Sequence, residues 1–153
     1  MVFQGRHQLK MDQKGRFRLP SSFIEQGMDS QFVITNSLYK GEKCLDLYTR
    51  KEWQVLQAKM SNLPVFDTHV QAFQRFYISS AQNLEKDGQE RLLIPTLLRD
   101  FAGLEAEIVA IGMGHKVELW NETSWQKIFS DIAVNYDDIL KAVSGFQQQG
   151  DKS

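Results

Sequence analysis

Asp12-Gln13-Lys14-Gly15-Arg16-Phe17-Arg18-Leu19-Pro20 is the stretch whose reading decides the fold. Asp12 and Gly15 bracket a turn, because Asp bonds local backbone amides and Gly takes a positive φ without a Cβ penalty. After the turn Arg16 and Arg18 alternate with Phe17 and Leu19, the period-2 pattern of a strand with one basic and one apolar face. Pro20 ends ladder pairing and suits the first turn of a helix. The pattern then returns. Asp87-Gly88-Gln89-Glu90-Arg91-Leu92-Leu93-Ile94-Pro95 carries Asp, Arg and Pro at the same places, 75 residues later.

The repeat extends beyond the motif. Leu45-Asp46-Leu47-Tyr48 before Trp53 matches Val117-Glu118-Leu119-Trp120 before Trp125 at an offset of 72, a three-residue slip taken up in the intervening hairpin. Two copies are too few for a solenoid. They predict a duplicated supersecondary unit whose halves pack on each other, since a unit of about 45 residues buries little core alone.

Read in order, Gln8–Met11 is a strand, and Arg16–Leu19 a second. Pro20-Ser21-Ser22 opens a short helix holding Phe23 and Ile24, with Gly27 as its stop. Phe32–Thr35 and Cys44–Tyr48 are strands around the Lys40-Gly41 tip, and Thr49 with Glu52 forms a capping box for a helix carrying Trp53, Leu56 and Met60. Residues 65–78 form a helical connection whose apolar stripe, Val70, Phe73, Phe76 and Tyr77, is expected to pack within the core or between the halves. The second unit follows: strand, Asp87 turn, strand 91–94, a helix after Pro95 stopped by Gly103, and strands 108–111 and 116–120 around the Gly112–His115 tip. Trp53 and Trp125 are expected as core residues pinning their helices. Asn121 caps one last helix with a stripe from Trp125 to Val143, and Ser144–Ser153 reads as a polar, frayed end. The fold class is α+β, not the strict alternation of a doubly wound sheet.

Composition bounds the function. Hydrophobic residues at 42% and charged residues at 24% are ordinary for a globular chain. No apolar run reaches the ~20 residues of a membrane span, and the N-terminus lacks the apolar core of an export signal. The net charge of −1 hides a gradient. Residues 1–20 carry +4, residues 21–80 balance, and residues 81–153 carry −5, which places a basic surface near the start.

No enzymatic constellation emerges. His7, His69 and His115 have no partners at metal-ligand spacing. Gly112-Met113-Gly114 suits a hairpin better than a phosphate loop, and Ser21-Ser22 and Ser79-Ser80 lack a nucleophile-elbow context. Asp137-Asp138 suits a helix start, and the lone Cys44 a buried thiol. What is left is the basic strand: Lys14, Arg16 and Arg18 at i, i+2 and i+4 project from one face if the strand persists through the turn. Guanidinium forks suit phosphate oxygens and the guanine edge, and a two-stranded ribbon fits the major groove of B-DNA. A solvated basic strand gives the same pattern.

The chain resembles the MraZ family of bacterial transcriptional regulators, built from two repeats of the SpoVT–AbrB type. The resemblance spans about residues 1–130 and rests on Asp12…Arg16 with Leu19-Pro20, Asp87…Arg91 with Leu93-Ile94-Pro95, Gln71-Ala72-Phe73-Gln74-Arg75-Phe76, Leu119-Trp120 and Trp53. It implies a swapped-hairpin, split β-α-β arrangement with pseudo-twofold symmetry: repeat 1 at 5–52, a helical connection at 53–80, repeat 2 at 81–124, and a C-terminal helix and tail at 125–153. It also implies a ring-shaped homo-oligomer, an octamer or dodecamer, in the cytoplasm on the nucleoid. Such a ring binds short direct repeats in double-stranded DNA upstream of the division and cell-wall gene cluster, its own promoter included, as a repressor.

No cofactor, metal, membrane or enzymatic activity is implied. The implied DNA-binding residues are Lys14, Arg16, Arg18, Lys10 and Arg91, with Asp12, Gly15 and Asp87 forming the turns. Glu90 stands where the first copy has Gly15. A carboxylate facing phosphate and the loss of the positive-φ option lead to the expectation that the first copy carries most DNA contact. The other readings are an AbrB-like antitoxin module, whose tail would be disordered, and a structural oligomer.

Overall fold

The fold is described from a computed structural model for residues 3–24 and 28–151. The first repeat runs β1 (Arg6–Lys10), β2 (Arg16–Phe17), a single 3-10 turn (Ser21–Phe23), β3 (Gln31–Tyr39), β4 (Glu42–Thr49) and α1 (Arg50–Met60). Helix α2 (Thr68–Phe73), continued by a π turn (Gln74–Ile78), leads to β5 (Gln82–Glu85), β6 (Leu92–Leu93), α3 (Thr96–Ala102), β7 (Glu107–Gly112) and β8 (Val117–Asn121). Helices α4 (Glu122–Val134) and α5 (Tyr136–Asp151) follow. The fold is α+β. The chain divides into two units, Met1–Glu122 and Thr123–Ser153.

In the first unit the repeats exchange strands. The main sheet has the order β1-β7-β8-β4-β3-β5, all neighbours antiparallel. Thus β1 of the first repeat pairs with β7 of the second, and β5 of the second pairs with β3 of the first. The order reads the same under exchange of the repeats. A separate two-stranded ribbon joins β2 to β6, with Arg16 opposite Leu93 and Phe17 opposite Leu92. Two cross-strand pairs, Phe17–Leu92 in the ribbon and Asp46–Glu118 in the sheet, are their own counterparts under the repeat offsets, so the pseudo-twofold axis runs between their partners.

Alternation sorts the side chains between the two faces of the sheet. Phe32, Ile34, Leu45, Leu47, Leu119 and their neighbours face the ribbon and close the main core with Phe17, Leu19, Leu92, Ile94 and Leu98. On the other face Val33, Tyr48, Trp53 and Tyr77 form a smaller cluster under α1 and the π turn. The expected capping box begins α1, where Thr49 Oγ1 accepts from the Glu52 amide at 3.2 Å. Of the apolar stripe expected to pack in the core or between the halves, only Tyr77 is buried. Val70 is half-buried, and Phe73 and Phe76 stay exposed at 38% and 36%, Phe73 stacking on Tyr77 at 5.2 Å and Phe76 meeting Phe101 of the second repeat edge-on at 6.0 Å.

Several expectations are corrected. The two motif strands shrink to two residues each, because the Asp turns on one side and the prolines on the other leave no more extended chain to pair. The helix after Pro20 is one 3-10 turn, and Ile24 is extended. Its proposed stop, Gly27, lies outside the described residues. The last helix is two: the Asn135 side-chain amide donates to the Asp131 carbonyl at 2.9 Å and its backbone amide to Ile132 O at 3.1 Å, ending α4. The polar end is helical through Asp151, with Asp137 and Asp138 favouring its positive N-terminus. Trp53 is buried, whereas Trp125 is half-buried with its ring 5.8 Å from that of Phe129.

The second face hides a charge. Asp46 is 1% exposed, and its Oδ2 accepts from Lys116 Nζ at 2.9 Å and from the Tyr77 hydroxyl at 2.5 Å. Tyr77 and Tyr48 share a hydrogen bond of 2.6 Å. Burial would lower the Lys116 pKa, but the Asp46 charge and hydrogen bond outweigh it and hold the ammonium above its usual range. The stability it contributes is present below the unfolded lysine pKa and is lost only in alkali, as pH rises through the raised value. Lys116→Ala should lower the unfolding free energy in urea by about 3–5 kcal/mol, because it strands the buried Asp46 charge. Asp46→Ala should cost less, because the half-buried Lys116 keeps Glu118 at 3.6 Å. The joint replacement Asp46→Leu with Lys116→Met should cost less than either.

Candidate nucleic-acid interface

The site is built from two copies of one hydrogen-bonded turn. In the first, Asp12 Oδ1 accepts from the amides of Lys14 at 3.0 Å and Arg16 at 2.9 Å, while Oδ2 accepts from Arg16 Nε at 2.7 Å. The backbone closes around it, with Asp12 N to Arg16 O and Gly15 N to Asp12 O, both 3.0 Å. In the second, Asp87 Oδ1 accepts from Gln89 and Arg91 amides and Oδ2 from Arg91 Nε, all at 2.9 Å, with the same two backbone bonds. Asp at the first position accepts the amides the turn would leave unpaired, and its second oxygen turns the arginine toward it.

These bonds hold the carboxylates in their charged form. The Arg16 backbone amide, opposed by desolvation and helped by the Arg16 guanidinium and the Lys14 amide, lowers the Asp12 pKa to about 2. The Arg91 amide and its neighbours lower that of Asp87. A depressed carboxylate pKa contributes stability that is complete above the unfolded value and is lost as pH falls through the folded one. For the Asp12 turn that loss comes only near pH 2.

Antiparallel pairing of β2 with β6 brings the copies together. An open groove of about 600 Å³ is lined by Lys10, Asp12, Arg16, Arg18, Gln89 and Arg91, among others. Four of the five cations singled out in the sequence meet there. Lys14 does not line it. It sits exposed on the turn, not on a strand, so the expected i, i+2, i+4 basic face reduces to Arg16 and Arg18. Phe17 and Leu19, between and beside them, point into the core. Arg18 Nε donates to Gln89 O of the other repeat at 2.9 Å.

The two halves of the ribbon differ. Leu93, half exposed at 50%, occupies the position matching Arg18 and sits across from Arg16. Glu90, expected to forgo the positive φ of Gly15, adopts φ +62°, within the left-handed region open to L-residues at modest cost. Its turn tolerates this because the Asp87 bonds fix the neighbouring backbone, and its carboxylate pairs with Lys86 at 3.4 Å. Gly15 is at φ +94°, where a Cβ would lie 2.5 Å from Arg99 Nε. Arg99, which the motif reading did not single out, packs on the first turn from the second repeat. Its only sequence signal is a basic residue in the last turn of α3, which reads as an ordinary C-terminal cation.

Away from the groove, Cys44, Asp46 and Glu118 bring ligand atoms within 4.8 Å of one another. The Lys116 ammonium, 2.9 Å from Asp46 and 3.6 Å from Glu118, already supplies the balancing cation. Burial, with the two carboxylates, keeps the Cys44 thiol protonated. This set does not read as a metal centre.

A family model described as "MraZ protein, putative antitoxin-like" matches the chain twice, over residues 2–76 and 77–142. Relatives named "Transcriptional regulator MraZ" include that of Acetivibrio thermocellus, 37% identical over 94% of this chain and 97% of its own. That of Alkaliphilus oremlandii is 38% identical over 94% and 97%, and that of Pediococcus pentosaceus 36% identical over 95% and 99%. With both repeats matched and near-complete coverage in each direction, this chain belongs to the MraZ family of transcriptional regulators, which are not enzymes.

Proposed function

We propose that this chain regulates transcription by binding double-stranded DNA through the β2–β6 ribbon and the flanking Asp turns. The observation that carries the reading is the convergence of Lys10, Arg16, Arg18 and Arg91 on one open groove in a chain whose net charge is −1. Arg16 and Arg91 are held by their aspartates through Nε, which leaves the outer nitrogens of each fork for phosphate or a base edge. Lys14, exposed on the first turn, adds a further cation. The first repeat contributes Lys10, Lys14, Arg16 and Arg18 and the second Arg91, so the first carries most of the contact.

Four or five phosphate-reaching cations bind weakly at physiological salt. A homo-oligomeric ring, octamer or dodecamer, that spans short direct repeats raises the affinity through effective concentration without raising the charge of each chain. Exposed Leu140, Val143 and Phe146, three residues apart along α5, suit such self-association. The target is the promoter region of the division and cell-wall gene cluster, which includes the chain's own promoter, and the ring acts there as a repressor in the cytoplasm, on the nucleoid. The antitoxin reading is less favoured, because its neutralising tail would be disordered whereas α5 is helical through Asp151.

Titration against duplex carrying the chain's own promoter repeats, at two salt concentrations, tests the reading. Arg16→Ala should weaken binding at least about tenfold, as expected for a lost charge-assisted contact. It should also reduce the salt slope by about 1 per site. Arg91→Ala should lose less; equal losses would refute the dominance of the first repeat. Salt-insensitive, weak binding by the wild-type assembly would favour a structural oligomer instead. Asp12→Ala removes a negative charge from the groove, so simple electrostatics expects tighter binding. The turn geometry expects weaker binding, because Arg16 loses the acceptor that aims it.

A further inference from the structure

Arg99 spans the two repeats at the place where the first Asp turn needs support. It stands in the last turn of α3, yet its guanidinium reaches back along the helix. Nε donates to Ile94 O at 3.0 Å, Nη2 to Thr96 Oγ1 at 2.9 Å, and Nη1 to Gln13 O at 3.5 Å, inside the turn of the first repeat. Its shaft lies against Gly15, where an added Cβ would meet Nε at 2.5 Å and Cδ and Cζ at 2.7 Å. The Ile94 amide donates to Gly15 O at 2.9 Å, so Arg99 reinforces a backbone link already made between ribbon and turn.

The second turn is held differently: Arg18 of the first repeat donates from Nε to Gln89 O at 2.9 Å, and among the described residues no guanidinium packs on Glu90 as Arg99 packs on Gly15. The residue matching Arg99 is Ile24, an aliphatic side chain on an extended backbone after a 3-10 turn, where the second repeat has a seven-residue helix. Glu90, which matches Gly15, is open to solvent and meets Lys86. The Arg99 clamp therefore acts on the first copy, and that copy carries Lys14 and Arg16.

We infer that Arg99 is a positioning residue for DNA binding: it holds the Gln13–Gly15 segment from the second repeat, so that Lys14 and Arg16 are presented to phosphates without first being ordered. This rests on the DNA-binding reading proposed above. Ordering a loop on binding costs free energy that a pre-held loop does not pay. Three donors in a planar fork meet three acceptors set by two repeats, a task a lysine ammonium cannot reproduce from one point.

Arg99→Lys separates this role from a plain charge contact, because it keeps the cation and loses the fork. Wild type and Arg99→Lys, each as the full-length assembly, would be titrated against duplex carrying the chain's own promoter repeats at several salt concentrations. Amide hydrogen exchange on the free proteins would follow both turns. The inference expects Arg99→Lys to bind about tenfold more weakly with the wild-type salt slope, because the phosphate contacts made in the complex are the same and only the cost of ordering the turn is added. Exchange should be faster at Lys14, Gly15 and Arg16 and unchanged at Gln89, Glu90 and Arg91, which distinguishes loss of the clamp from general loosening of the fold. Arg99→Ala should match Arg99→Lys in all three readouts. If Arg99→Lys keeps wild-type affinity and slope while Arg99→Ala loses them, Arg99 is a charge contact and the inference fails. Unchanged exchange at the first turn also overturns it. Failure of wild type to bind the duplex overturns the DNA-binding reading and this inference with it, whereas wild-type binding with unaffected variants overturns the inference alone.

Discussion

Neither repeat can complete its own sheet, and the rest of the structure follows from that constraint. β1 leaves its repeat to pair with β7, and β5 leaves to pair with β3, so the outer strand on each side belongs to the other half. The chain between each outer strand and its repeat must then cross the sheet face, and the two crossings meet as β2 and β6. Phe17 and Leu92, opposite one another on the axis and almost fully buried, fill the space beneath that crossing. Burial of such side chains stabilises by about 1.5–3 kcal/mol each, so the crossing is held from below by the core. The Asp turns are the bends that let the chain enter it.

This arrangement explains why so short a ribbon is stable. Two residues per strand make few ladder bonds, and an isolated pair of that length would not persist in water. Here the apolar members of the alternation are committed to the core, so the basic members have only the outer face left to occupy. The charged surface is a consequence of the packing beneath it. Asp12 and Asp87 then satisfy turn amides that would otherwise face solvent unbonded, and they fix the arginines in the same step.

The fold class, the duplication and the Asp turns were legible in the sequence because they depend on local pattern: Asp and Gly at turn spacing, alternation, and a repeat. The meeting of Lys10, Arg16, Arg18 and Arg91 was not, because it depends on the long-range pairing of β2 with β6. The exchange of strands came only through family resemblance, since periodicity does not say which strand a partner is. The break at Asn135 was missed because the apolar stripe runs through it, and only the side-chain bond to Asp131 marks it. Glu90 was misjudged for a related reason: residue type alone gives the cost of a positive φ, while the surrounding bonds decide whether that cost is met. Arg99 was invisible because its partners, Gln13 and Gly15, lie more than eighty residues away.

The departures from symmetry bear on how such a surface could read a site. A ribbon with identical halves would present the same groups to either direction of a duplex, and it would suit inverted half-sites. Here Arg18 is matched by Leu93, Gly15 by Glu90 and Arg99 by Ile24, so the head is basic and packed by Arg99 on one side and partly apolar on the other. In the proposed DNA binding, a head with that polarity would distinguish the two directions along a duplex. In the proposed ring, successive subunits related by rotation would present it in the same sense, and direct repeats are the arrangement of sites that such a series could occupy without reversing any member. The proposed binding to direct repeats thus draws its directionality from the differences between two halves whose packing is otherwise shared.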